Sequence, residues 1–168
     1  MDTVIDQLCL ACGICCIGVL FDDVVLEPGA VAELGALGLP LVRRYGRTRL
    51  PQPCPALQSD NRCRIYPQRP ARCRQFECAL LRSVRAGQLD VPAALRAIDQ
   101  TRHQADRVRR LLRLLGDRQD AMALRVRFKR LQRQVERHPP DEEMAAAWAA
   151  LSQAMHELNL QLRRQFYP

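Results

Sequence analysis

Cys9-Leu10-Ala11-Cys12-Gly13-Ile14-Cys15-Cys16 places four thiols within eight residues. Four more follow at Cys54, Cys63, Cys73 and Cys78, and none occurs in the last ninety residues. A C-x2-C spacing lets two sulfurs converge on one ion, with Zn–S distances of about 2.3 Å in a tetrahedral shell. A further x2-C adds a third sulfur to the same neighbourhood, as in the first three ligands of a bacterial ferredoxin loop. The run therefore reads as one half of a thiolate metal site. In extended backbone Cys15 and Cys16 point to opposite faces and suit two neighbouring ions or two corners of a cluster. On a helix, Cys9, Cys12, Cys15 and Cys16 fall within an arc of roughly 120° and present a row of sulfurs. Gly13 weakens that helix without excluding it.

The second half of the site follows from the four later cysteines. Their spacing is looser, and their density in a chain with no cysteine beyond them indicates closure of the same site or sites. Eight thiolates make two tetrahedral four-thiolate centres, or one iron–sulfur cluster with spare or bridging sulfurs. A disulfide framework conflicts with a reducing compartment, and free core cysteines do not cluster at x2 spacing. A thioredoxin-like dithiol at Cys9 and Cys12 would leave six thiols idle. The expected ligand set is Cys9, Cys12, Cys15, Cys16, Cys54, Cys63, Cys73 and Cys78, with zinc or iron as the metal. Five arginines (Arg62, Arg64, Arg69, Arg72, Arg74) flank the later cysteines and can offset the charge of bound thiolates.

The ordered blocks Cys9-x2-Cys12-x2-Cys15-Cys16, Cys54-Pro55-x-Leu57, Cys63-x-Ile65-Tyr66 and Arg69-Pro70-x2-Cys73-Arg74 resemble the YkgJ-type CxxCxxCC proteins. The resemblance covers roughly residues 9–80 and implies a zinc- or iron-chelating domain. It also singles out Arg69 and Arg74 as the arginines expected to hydrogen-bond the metal-bound sulfurs. Similar cysteine clusters in flagellin lysine methylases would imply an iron–sulfur centre. This chain shows no Gly-rich cofactor loop.

Length, 48% hydrophobic residues and 26% charged residues describe a soluble globular chain that can bury a core. No apolar run is long enough to span a membrane. Asp2 and Asp6 stand where a leader peptide carries positive charge, and a cytoplasmic location is the expectation. The first sixty residues hold seven acids against four arginines, whereas the remainder holds 22 basic residues against 11 acids. The basic charge is almost all arginine and reads as solvated helix surface rather than a nucleic-acid footprint.

The fold expected is mainly α: an irregular, metal-nucleated cysteine-rich unit with minor β over residues 1–90, then an antiparallel helical bundle over 91–168, packed on the first or separate. Residues 17–26 are β-rich and suit short strands about an Asp22-Asp23 turn. Pro28 opens a short helix to about Leu37, and a loop with an edge strand at 48–50 carries Cys54 toward the metal. A helix after Cys78 ends near Gly87. Pro92 opens a long helix with an apolar stripe at Leu95, Ile98, Ala105, Val108, Leu112 and Leu115. Gly116 ends it and Asp117 begins another, striped by Ala121, Leu124, Phe128, Leu131 and Val135. His138-Pro139-Pro140 interrupts the chain before Asp141-Glu142-Glu143 and a last stripe at Met144, Trp148, Leu151, Met155, Leu158 and Leu162.

No Ser-His-Asp order, phosphate loop or paired carboxylate stands out, so no catalytic residue is assigned. His103, His138 and His156 are isolated from the cysteine spacing. Three functions compete: metal chelation, with the helical half offering a surface to a protein partner; an Fe–S redox or electron-transfer protein serving a partner enzyme; and, last, an arginine-mediated nucleic-acid binder.

Overall fold

The computed structural model describes residues 3–167, without the side chains of residues 3–7 and 143. Asp2 and the side chains of Asp6 and Glu143, weighed above for the leader and the last helix, lie outside them. The described chain is mainly α, with seven α-helices and one small antiparallel sheet. Helix α1 covers Thr3–Cys12, and a turn follows before β1 (Asp23–Val25) and α2 (Pro28–Ala36). Then come β2 (Val42–Arg44), β3 (Arg47–Pro51), α3 (Ala71–Gln75) and α4 (Ala79–Arg85). The long elements are α5 (Val91–Leu114), α6 (Leu124–Arg137) and α7 (Glu142–Gln165).

The sheet runs β1-β3-β2, with Val24 opposite Leu50 and Arg43 opposite Thr48. The strand expected at an edge is thus the central one, because Val42–Arg44, read as loop, supplies the second edge. Leu26, Leu34, Leu39, Leu50, Ala56 and Ile65 form a small core beneath the sheet and α2. The larger core joins Leu8, Ile14, Ile17 and Leu81 to Ile98, Val108, Leu151 and Leu158, so apolar side chains from both halves share one interior.

Helices α5 and α7 lie antiparallel: Arg107 pairs with Glu157 at 3.0 Å, and Gln161 donates to Thr101 at 3.0 Å. Asp90 and Asp141 cap these helices by accepting from the amides of Ala93 and Met144. The buried stripe of α5 is Ala94, Ile98, Thr101, Ala105, Val108 and Leu112. Leu95, expected inward, sits one position off that seam and is exposed, with Ala94 in its place. Likewise Met144 is exposed in the first turn of α7.

Helix α6 begins at Leu124, seven residues later than expected from Asp117. Asp117 is held elsewhere: its amide donates to Leu112 O and its carboxylate pairs with Arg127 at 2.7 Å. Ala121, expected on the α6 stripe, is therefore an exposed loop residue. Phe128 of α6 stacks on Trp148 of α7 with ring centroids 5.3 Å apart.

Candidate metal centre

The cysteine run is helical in its first half and a turn in its second, not the extended backbone that is the alternative to a helix. Cys9 and Cys12 lie on the last turns of α1, and the helix stops at Gly13 with φ +63°. From there the amides of Cys16 and Ile17 both donate to Gly13 O, at 2.8 and 3.1 Å, folding Cys15 and Cys16 back as a turn. Gly13 is required twice over. Its backbone is left-handed, and a Cβ would come within 3.2 Å of Asn61. Gly18, at φ +73°, closes the turn where a Cβ would meet Pro53 and Ala123 at 3.1–3.2 Å. The run is thereby wedged between the loop that carries Cys54 and the start of α6.

Further bonds fix its position. Cys54 N donates to Cys16 O at 2.7 Å, which ties the two cysteine segments together through the main chain. On the opposite side two arginines of α5 reach across. Arg102 donates to the carbonyls of Ala11 and Cys12, the latter at 2.6 Å, and Arg109 donates to Ile17 O at 2.9 Å. The carbonyls of Ala11 and Cys12 belong to the last turn of α1, so Arg102 of the long helix caps that end, and Arg109 holds the turn beyond it.

All eight cysteine side chains line one cavity of about 520 Å³. They come from α1 (Cys9, Cys12), the turn (Cys15, Cys16), the segment after β3 (Cys54, Cys63), α3 (Cys73) and the N-cap of α4 (Cys78). All eight are half-buried and none is in a disulfide. Cys15 Sγ and Cys16 Sγ are 3.6 Å apart, a thiol contact rather than a bond. Among the described residues no three Cys, His, Asp or Glu side chains stand in a ready-made coordination shell. The sulfurs share a chamber without closing on a point. Apolar side chains complete the wall, including Phe21 and Phe76, which meet edge to face at 4.9 Å.

The chamber opposes charge on most of its thiols. Burial raises Cys12, Cys54, Cys63 and Cys78, and pushes Cys73 up to about 12. Cys15 goes the other way, chiefly because the Cys16 thiol hydrogen-bonds to it, with the Arg69 charge also favouring its thiolate. Cys16, the other partner of that contact, is raised by it and by burial. Cys15 is the thiol whose ionisation opposes that of six others. Its charge acts on Cys12, Cys16, Cys54, Cys63, Cys73 and Cys78, whereas Cys9 acts on Cys12.

Backbone amides work against burial at several of these sulfurs. The N–H groups of Ile14, Ala56, Ile65 and Leu80 favour the thiolates of Cys12, Cys54, Cys63 and Cys78, each from two residues downstream. Leu81 N also donates to Cys78 Sγ at 3.4 Å. Neutral thiols gain little from such donors, and thiolates gain much. A soft, thiolate-binding cation fits this donor set.

Of the two arginines expected behind the sulfurs, Arg69 lies on the cavity wall and Arg74 does not. The Arg69 guanidinium stacks 3.4 Å from the Tyr66 ring centroid, and its Nε donates to Tyr66 O. Arg72 lines the cavity as well, and so do Arg49 and Gln52, which were not singled out in the sequence. Arg49 and Gln52 lie on or beside β3, outside the cysteine-rich blocks; Arg72 was among the flanking arginines.

The profile of the CxxCxxCC family, described as "Putative zinc- or iron-chelating domain", matches residues 8–103, more than half of the chain. No match was found among curated proteins or among solved structures.

Proposed function

The chain belongs to the CxxCxxCC family, and on that premise we propose that it binds zinc or iron through thiolates drawn from its eight-cysteine chamber. The observation that carries this reading is the meeting of all eight side chains, from segments as far apart as α1 and α4, on one cavity. The Cys16 thiol and the Arg69 charge favour the thiolate of Cys15. The remaining sulfurs follow when a cation repays the cost of charging them in an apolar wall. Arg69 offsets the resulting negative charge. A bound zinc organises surrounding loops, and iron in a sulfur cluster adds electron transfer.

The Fe–S reading rests on a specific feature. Eight thiols and about 520 Å³ exceed the needs of one tetrahedral ion, and they suit a polynuclear centre or two separate ones. Such a centre would serve a partner enzyme in electron transfer. Eight free thiols also accord with a reducing, cytoplasmic setting.

Anaerobic isolation followed by elemental analysis tests the proposal. Stoichiometric zinc in a colourless protein is expected for the first form, and iron with sulfide and broad visible absorption for the second. Protein that carries neither, and takes up neither on titration, would refute metal binding. Calorimetry in buffers of different ionisation enthalpy adds a second check. Because burial holds Cys12 and Cys73 protonated at neutral pH, binding must release protons, and affinity must fall as pH falls.

A further inference from the structure

We infer that Gln52 gives this otherwise sulfur-lined chamber an oxygen donor, its side-chain carbonyl contacting a thiolate-held cation or a water carried by that cation. The inference rests on the metal reading above and adds to it a residue outside the cysteine blocks.

Gln52 is only 3% exposed, and it lines the same cavity as the eight cysteines. Its Oε1 is buried and has no hydrogen-bond partner among the described residues. An amide oxygen withdrawn from water without a replacement partner is a standing cost to the fold. Buried carbonyls of this kind are uncommon and are met where a ligand supplies the missing contact. The main chain around it is held firmly. Gln52 N donates to Asp22 O at 3.2 Å, and two residues on Cys54 N donates to Cys16 O. The residue is thus pinned between the strand and the cysteine turn, with its carbonyl unspent.

Other unpaired buried atoms do not offer the same case. Gln104 Oε1, Arg102 Nε and Arg127 Nη2 belong to residues that do not line the chamber. Arg49 does line it, but its guanidinium is anchored on Asp23 at 2.6 Å. Gln52 alone combines burial, a place on the chamber wall and an acceptor with nothing to accept from among the described residues.

The test compares Gln52→Leu with the wild-type protein in two states. Without metal, Q52L is expected to melt no lower than wild type, because the variant removes an unpaired buried carbonyl and keeps an apolar volume. With Zn2+ measured by chelator competition, Q52L is expected to bind about tenfold more weakly, in the range seen when groups supporting metal ligands are removed. Wild-type affinity in Q52L would overturn the inference and leave thiolate binding standing. Equal loss of metal-free stability and affinity would overturn it too, since that marks a structural role. Failure of the wild-type protein to take up zinc or ferrous iron would remove the metal reading and this one with it. Should Q52L not fold, the carboxamide 13C resonance of Gln52 in the wild-type protein decides: a shift on zinc loading is expected, and an unmoved resonance overturns the assignment.

Discussion

Between Gly13 and Gln75 the chain forms strands of three to five residues and helices of five and nine, whereas α5 and α7 each run 24 residues. The short elements enclose a small core of Leu26, Leu34, Leu39, Leu50, Ala56 and Ile65. The long helices bury continuous stripes against each other and carry aspartate caps at their starts. Order in the helical region comes from apolar burial along a seam, which the chain supplies by itself. The cysteine region spends its interior on a sulfur-lined cavity, where burial opposes charge on most of its thiols. One region is complete as a packing problem, and the other keeps a cavity of about 520 Å³ at its centre.

The largest expected effect follows from removing the sulfur whose thiolate is already favoured, by Cys16 and Arg69. Cys15→Ser deletes the thiol whose charge reaches six others, so bound metal should fall at least tenfold. Structural zinc sites supply folding energy on the order of 10 kcal/mol in small domains. Amide hydrogen exchange should accordingly quicken across residues 13–78, with α5 and α7 still protected. Unchanged metal content in the variant would contradict the assignment. Equal loss of protection in both regions would show that they are one folding unit.

A second perturbation belongs to the helical side. Arg127 is buried, with Nε 2.7 Å from Asp117 and Nη1 2.9 Å from Asp120. Arg127→Met leaves Asp117, itself almost fully buried, without its counter-charge, at a cost of about 3–5 kcal/mol. Chemical denaturation measures it. Zinc affinity is expected to hold, because neither Arg127 nor Asp117 lines the chamber.

Arg127 also shows where the sequence stopped being legible. Arginine density read as solvated helix surface; Arg127 falls three residues after Leu124 and four before Leu131, beside the apolar stripe, but only the fold brings Asp117 to it. The same limit applies to Gln52, which has no sulfur, no charge and no motif around it. The gathering of the cysteines was readable because C-x2-C spacing is local chemistry, and the helices because a 3.6-residue period is local geometry. Leu95 and Ala121 were misplaced where a neighbouring residue, Ala94 or the Asp117–Arg127 pair, decided the register. The place of β3 at the centre of the sheet was hidden for a related reason: Val42–Arg44 is too short and too charged to announce a strand.

Arg102 joins the two regions and should give an intermediate effect. Its guanidinium caps the carbonyls of Ala11 and Cys12 at the end of α1. Arg102→Met removes charged hydrogen bonds worth about 1.5–3 kcal/mol. It also frees the backbone beneath Cys9 and Cys12, so zinc should dissociate faster as well. A loss of stability with unchanged zinc dissociation would mean that α5 supports α1 without positioning its thiols.

The smallest effect tests whether the helical region can be weakened with the chamber left alone. Asp141 caps α7 by accepting from Met144 N at 2.9 Å, just after the Pro139-Pro140 break. Asp141→Ala should cost about 1 kcal/mol, since the first turn frays but the buried stripe from Leu151 onward remains. Zinc affinity should not change, because no described residue of α7 lines the chamber and Phe166, which does, follows the opposite end of the helix. Fraying confined to the first turn is read by hydrogen exchange at residues 144–147. If the cap variant instead weakened zinc binding, disorder would have travelled the length of α7 to Phe166, and the chamber would depend on the helical seam as much as on its own sulfurs.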